Sequence, residues 1–210
     1  MLRLYITRHG ETQWNIEKKM QGWQDSPLTA KGIQNALWLS ERMEPVDIDV
    51  IYASPSGRAQ HTAELVRGNK STEIVFDPKL KEINMGEWEG HNVSAIKARD
   101  QASFHTFWNE PASYNPSGGE SFPELIERIR TALKEIEAKH SSGNVLIVTH
   151  SVVIKALFMI FNDTEIEHFW APPYIEDTSL TIVEVDDTGY RVSLEGCTLH
   201  KENNGERLKL

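Results

Sequence analysis

Two arginines, two histidines and a carboxylate occupy places in this sequence where chemistry could gather. The first apolar run ends in Arg8-His9-Gly10 (LYITRHGETQWN), a second is followed by Arg58 (YASPSGR), and a third, NVLIVTH, ends in His150. An arginine set against a histidine at the end of a strand does little for packing but suits a bound anion. A metal ion is the rival guest for His9 and His150. Arg8 would repel it, and no His-x3-His or cysteine cluster accompanies the pair. Phosphate fits better, because the planar guanidinium matches its oxygens, and no obvious carboxylate in the sequence neutralises either arginine.

Given a phosphate, neutral imidazole at His9 is a nucleophile, and covalent catalysis splits one hard displacement into two easier ones. One ring nitrogen must attack while the other keeps its proton, held by a backbone carbonyl. Arg8, Arg58 and His150 would hold the equatorial oxygens. An acid must protonate the leaving alkoxide. Glu82, in DPKLKEINMGEWEG, is the preferred choice, since burial and a nearby dianion would keep it protonated. Glu87 and Glu89 compete for the role.

These groups must be carried to one place by the fold. Leu2–Thr7 reads as a strand. Thr29 caps a helix running to Met43, with Ile33, Leu37 and Ser40 on one face. A second strand covers about 48–53, and GRAQHTAELVRG opens a helix that Gly68 closes. TEIVFDP is a third strand. Residues 84–120 hold scattered aromatics without a long helical period and read as an inserted lid of short helices and loops. Ser121 and Glu124 form a capping box for a long helix whose buried stripe is Leu125, Ile129, Ala132, Leu133 and Ile136. NVLIVTH is a fully buried strand, SVVIKALFMIF a helix, and SLTIVEV with YRVSLEG a hairpin. The tail KENNGERLKL is expected to fray. The pattern predicts an α/β three-layer sandwich: a mostly parallel central sheet with an antiparallel edge and helices on both faces, in a single domain over 1–210 with 84–120 as its lid. In such folds ligands bind beyond the C-terminal ends of the strands.

The bulk numbers narrow the partners. The 210 residues carry a formal net charge of −9, with 39% hydrophobic and 25% charged residues. Nucleic acid and anionic membrane are poor partners for such a chain, since phosphate contacts need clustered Lys and Arg. Cys197 is the only cysteine, so no internal disulfide forms. No signal peptide or membrane span is legible, and a cytoplasmic location is expected. Oligomeric state is not legible.

In their order along the chain, TRHGETQWN, GWQDSPLTAKG, YASPSGRAQHTAE, KEINMGEWEG, SGGES and VLIVTHSVVIKAL together resemble the histidine phosphatase superfamily, the phosphoglycerate mutase-like family, from about residue 2 to 196. The resemblance implies that His9 is the phosphorylated nucleophile, Glu82 the proton donor, and Arg8, Arg58 and His150 the phosphoryl-binding groups. It extends the substrate-binding set to Asn15, Gln21, Gly22 and Ser151, and implies neither a metal nor an organic cofactor. It implies a small phosphorylated metabolite as substrate. The aromatic, arginine-poor 84–120 segment looks more like the bacterial broad-specificity phosphatases than the mutases. The alternatives are a phosphoglycerate mutase, a specific phosphatase such as one acting on α-ribazole phosphate, or a non-catalytic phospho-ligand binder. Two departures stand out: Ser151 replaces a common glycine, and Asn84 replaces a histidine frequent in this branch.

Overall fold

The computed structural model describes residues 1–202. Its core is a six-stranded sheet in the order β3-β2-β4-β1-β5-β6, built from β1 (Leu2–Arg8), β2 (Val50–Ala53), β3 (Glu73–Phe76), β4 (Gly143–Thr149), β5 (Leu180–Asp186) and β6 (Gly189–Cys197). The first four strands are parallel; β5 runs antiparallel to β1 and to β6. The expected antiparallel edge is therefore the whole late hairpin.

Period-two alternation divides the core into two layers. Leu4, Ile6, Val50, Tyr52, Val145 and Ile147 face α6 (Phe122–Lys139) and α7 (Ser151–Asn162). Tyr5, Ile51, Ala53, Leu146 and Val148 face α2 (Ala30–Met43) and α3 (Gly57–Arg67). Each fully buried aliphatic side chain contributes about 1.5–3 kcal/mol, so the sheet's two faces are heavily committed. The short α1 (Gln13–Ile16) lies between β1 and α2 in the chain, and α8 (Leu199–Glu202) follows β6.

Ser121 and Glu124 form the capping box of α6, and the expected stripe Leu125–Ile136 is buried. In α2 the buried face differs from expectation. Thr29 caps it, but Gly32, Ala36, Leu39 and Met43 turn inward while Leu37 is exposed. The reason is a close approach: a Cβ at Gly32 would stand 2.2 Å from the Glu11 carbonyl oxygen. That contact rotates the helix so that the stripe starting at Gly32 meets the sheet.

Residues 84–120 form two short helices, α4 (Val93–Arg99) and α5 (Gln101–Asn109), with single 3-10 turns around them. Trp88, Phe107 and Tyr114 from this segment are buried in the same continuous core as Ile6 and Val145. The tail expected to fray begins inside α8, which holds Lys201 and Glu202; the rest of it lies outside the described residues. Among the described residues, no helix is long and apolar enough to cross a membrane.

Candidate active site

The sheet order sets β1, β4 and β2 side by side, with Arg8 opposite Thr149 and Ala53 opposite Val148. His9, His150 and Ser54 therefore leave three adjacent strands at one level. His9 is 3% exposed and His150 fully buried, with ring centroids 5.2 Å apart.

The hydrogen bonds fix both tautomers. His9 Nδ1 lies 2.8 Å from the Gly10 carbonyl, which can only accept, so the proton is on Nδ1 and Nε2 carries a lone pair. Arg58 Nε donates to that Nε2 at 3.3 Å. Burial above all, then the charges of Arg58 and Arg8, holds the His9 pKa well below the ordinary value, so the ring is neutral. His150 caps α7; its Nδ1 accepts from an Arg58 terminal nitrogen at 3.2 Å and its Nε2 donates to Ser54 Oγ at 2.8 Å. Burial first, then Arg58, His9 and Arg8, depresses its pKa too.

Arg58, on the first turn of α3, spends all five donors. Besides the two histidines it reaches the carbonyls of Gln24 (2.7 Å) and Gly22 (2.9 Å) and the Asp25 carboxylate (2.8 Å). This corrects the expectation that no carboxylate meets the arginines: Asp25 pairs with Arg58. The sequence hides the pair because 33 residues separate its members. The two long contacts to histidine nitrogens are the ones an arriving anion could displace most cheaply. Arg8 is half-buried; it donates to the Ile175 carbonyl (2.9 Å), while its buried Nε has no partner among the described residues. A buried guanidinium N–H without an acceptor is costly and invites an anionic oxygen.

Glu82 is buried against the start of α7. One oxygen accepts from Ile83 N–H (2.9 Å), the other from Val152 N–H (3.2 Å) and Ser151 Oγ (3.4 Å). Desolvation raises its pKa, opposed by those backbone hydrogen bonds and by Arg58 and Arg8. Glu87 is exposed. Glu89 is consumed by the backbone N–H groups of Trp23, Gln24 and Met85. Glu82 alone of the three therefore sits beside the histidine-bearing helix terminus.

A cavity of about 610 Å³ opens beside this cluster. Arg8, Asn15 and Ser151 line one part, and Met20, Val93, Phe107, Trp108, Trp170 and Ile175 give the rest an apolar wall. His9, His150 and Glu82 stand one residue or one hydrogen bond behind Arg8 and Ser151. The lateral set divides accordingly. Asn15 borders the cavity, though its Oδ1 accepts from Thr12 N–H and Oγ1. Gln21 is buried in its own loop, accepting from Ser26 Oγ, and does not reach the cavity wall. Gly22 contributes its carbonyl to Arg58; it needs glycine because its φ is +53° and a Cβ would collide with Glu89. Asn84 accepts from Gly86 N–H, closing a local turn. Asp25, Ser54, Trp170 and Ile175 escaped the sequence reading. Asp25 and Ser54 lie inside the quoted motifs, whereas 170–175 carries no motif at all. Among the described residues, no three His, Cys, Asp or Glu side chains gather as a metal site would.

The sequence model of the histidine phosphatase superfamily (branch 1) matches residues 4–198. The chain is 36% identical over 157 residues, 75% of its own length and 73% of the relative's, to an Escherichia coli protein named "Probable phosphoglycerate mutase GpmB". Among solved structures it is similar to YhfR of Bacillus stearothermophilus, at 48% identity and a TM-score of 0.93, covering 95% of this chain and 99% of that one. It is also similar to the α-ribazole phosphatase of Shigella flexneri, at 26% identity and a TM-score of 0.86, covering 94% and 97%.

Proposed function

The chain belongs to branch 1 of the histidine phosphatase superfamily, and on that premise we propose that it hydrolyses phosphate monoesters through a phosphohistidine at His9. One observation carries the reading: the Gly10 carbonyl holds the proton on Nδ1 and leaves the Nε2 lone pair inside a cationic pocket. In the first step Nε2 forms a bond to phosphorus as the ester P–O bond breaks. The leaving oxygen takes the Glu82 proton, and Arg8 and Arg58 bear the charge on the phosphoryl oxygens. As the dianion enters, His150 gains a reason to protonate on Nδ1 and then donates as well. In the second step water attacks the phosphohistidine, Glu82 takes a water proton, and inorganic phosphate leaves with His9 restored.

The cavity supports small substrates whose leaving groups have apolar surface, because Phe107, Trp108 and Trp170 offer little to a polyanion. Segment 84–120, which supplies Val93, Phe107 and Trp108, serves in this reading as the lid over the leaving group. A mutase reading has the similarity to GpmB in its favour. A mutase must retain a bisphosphate for reorientation, and here two of the three wall lysines are engaged: Lys19 with Glu17, Lys155 with the Ala171 and Pro173 carbonyls. A binding-only role is disfavoured by a complete set of nucleophile, acid and cradle.

The test is turnover of phosphorylated metabolites and an aryl phosphate, with and without 2,3-bisphosphoglycerate, following released phosphate and isomerised product. Phosphate release with an acid-labile phosphoryl group trapped on His9 is the expected result. Isomerised product as the main outcome would establish the mutase, and no turnover at all the binder.

A further inference from the structure

The Glu120 and Arg128 side chains lie outside the nucleophile's cradle, yet they meet the loop that carries Glu82 at every opportunity. Arg128 rises from α6 beside the buried Leu125–Ile129 stripe. Its Nε and one terminal nitrogen form a fork to Glu120, at 2.7 and 2.6 Å. Its remaining donors reach three main-chain carbonyls of the Glu82 loop: Lys79 (2.5 Å), Lys81 (2.9 Å) and Glu82 itself (3.4 Å). Glu120 closes the other side, accepting from Asn84 N–H through its carboxylate (3.3 Å) and donating its own N–H to the Asn84 carbonyl (2.8 Å). Thr149 Oγ1 holds the Leu80 carbonyl from β4 (2.8 Å).

The loop needs such a device. Residues 79–84 belong to no strand, and a single 3-10 turn, Pro78–Leu80, precedes Glu82; besides Thr149, Trp23 Nε1 shares the work, donating to the Glu82 carbonyl at 2.9 Å. A proton donor must nevertheless be held within about 0.5 Å of its productive position. The ion pair is mostly shielded, with side chains 18% and 13% accessible, and Arg128 adds to the charges that lower the His150 pKa. Toward Glu82 its effect is geometric.

We propose that the Glu120–Arg128 pair is the positioning element of the proton donor: an arginine fork that gathers three loop carbonyls and thereby fixes where the Glu82 carboxyl points. This rests on the reading of Glu82 as the acid. It also gives the SGGES motif a task, since Glu120 is its acidic residue. Lysine cannot replace Arg128, because a single ammonium does not span a carboxylate and three carbonyls.

Three conservative variants test this: Arg128→Lys, Glu120→Gln and, as reference, Glu82→Gln. Each is assayed for kcat and KM on p-nitrophenyl phosphate, whose leaving group needs little protonation, and on an alkyl phosphate, whose leaving group needs full protonation. Urea unfolding is recorded alongside. Both positioning variants are expected to lose about tenfold more kcat on the alkyl than on the nitrophenyl ester, with KM within about twofold, echoing Glu82→Gln. A purely structural pair would lower activity on both esters equally. Equal losses, or none, in Arg128→Lys and Glu120→Gln while Glu82→Gln separates the two esters overturn the positioning role and leave the acid in place. If Glu82→Gln itself shows no separation, the proton-donor reading fails and the positioning role falls with it. Should Arg128→Lys not fold, Glu120→Gln, which keeps shape and most hydrogen bonds, decides the matter.

Discussion

Asp25→Asn isolates what the buried guanidinium of Arg58 is for. The Arg58 side chain is 1% exposed and that of Asp25 39% exposed, at 2.8 Å. Asparagine keeps the oxygen acceptor and removes the charge. Exposed pairs are worth up to about 1 kcal/mol, while stripping a buried charge of its partner costs about 3–5 kcal/mol. A pair with one buried and one partly exposed member falls between, and about 1.4 kcal/mol is the expected loss without ligand. The same carboxylate opposes an anion bound by Arg58. If that guanidinium faces the phosphoryl group, removing the charge returns the loss as tighter phosphate binding, about tenfold in Kd. Inorganic phosphate at 100 times the wild-type Kd then stabilises the wild type by about 2.7 kcal/mol and the variant, at 1,000 times its own Kd, by about 4.1 kcal/mol. The urea curves of the two proteins should therefore lie about 1.4 kcal/mol apart without phosphate and coincide with it. A gap that phosphate leaves untouched would show that Arg58 does not bear on the anion.

His9→Ala should abolish turnover of aryl and alkyl phosphates while far-UV circular dichroism stays native; residual wild-type rates would remove His9 from the chemistry. The value of kcat/KM should fall as pH rises through the Glu82 pKa, which burial lifts above its ordinary 4.5, and Glu82→Gln should erase that limb. The same shift gives a stability sign: the contribution of Glu82 is fully present below pH 4.5 and is lost as pH climbs through the raised value, which urea titrations at stepped pH would detect. Trp170→Ala should lower kcat/KM for naphthyl phosphate at least about tenfold more than for glycerol phosphate, the size of one lost aromatic contact; equal effects would place the leaving group elsewhere. Exhaustive EDTA treatment should leave the rate unchanged, and a loss restored by a divalent ion would reinstate a metal at the histidines.

The fold was legible where local pattern and tertiary contact agree. The capping box at Ser121–Glu124 and the stripe below it act within α6, so the sequence displays them. The run VLIVT declares a strand buried on both faces. The face of α2 was misread because it is chosen by a backbone approach between Gly32 and Glu11, 21 residues apart, which no period of apolar residues reports. The antiparallel hairpin was visible through its turn, but its place beside β1 is a matter of sheet order alone.

The site shows the same division more sharply. Arginine and histidine at or just beyond a strand end suit an anion and are poorly suited to packing, so Arg8, His9, Arg58 and His150 stand out in the sequence; the structure brings His9, Arg58 and His150 into contact, with Arg8 next to His9 in the chain. The groups that hold them are ordinary. Asp25, the Ser54 hydroxyl and the Ile175 carbonyl gain meaning only from what lies opposite: respectively Arg58, His150 Nε2 and Arg8. A chain with net charge −9 can keep the two guanidiniums of Arg8 and Arg58 in one crevice because each long-range partner offsets part of the desolvation, and a main-chain carbonyl does so without adding a charge that would repel an anion. Asp25 is the exception, a full negative charge 2.8 Å from the guanidinium, and its partial exposure leaves it open to screening by solvent.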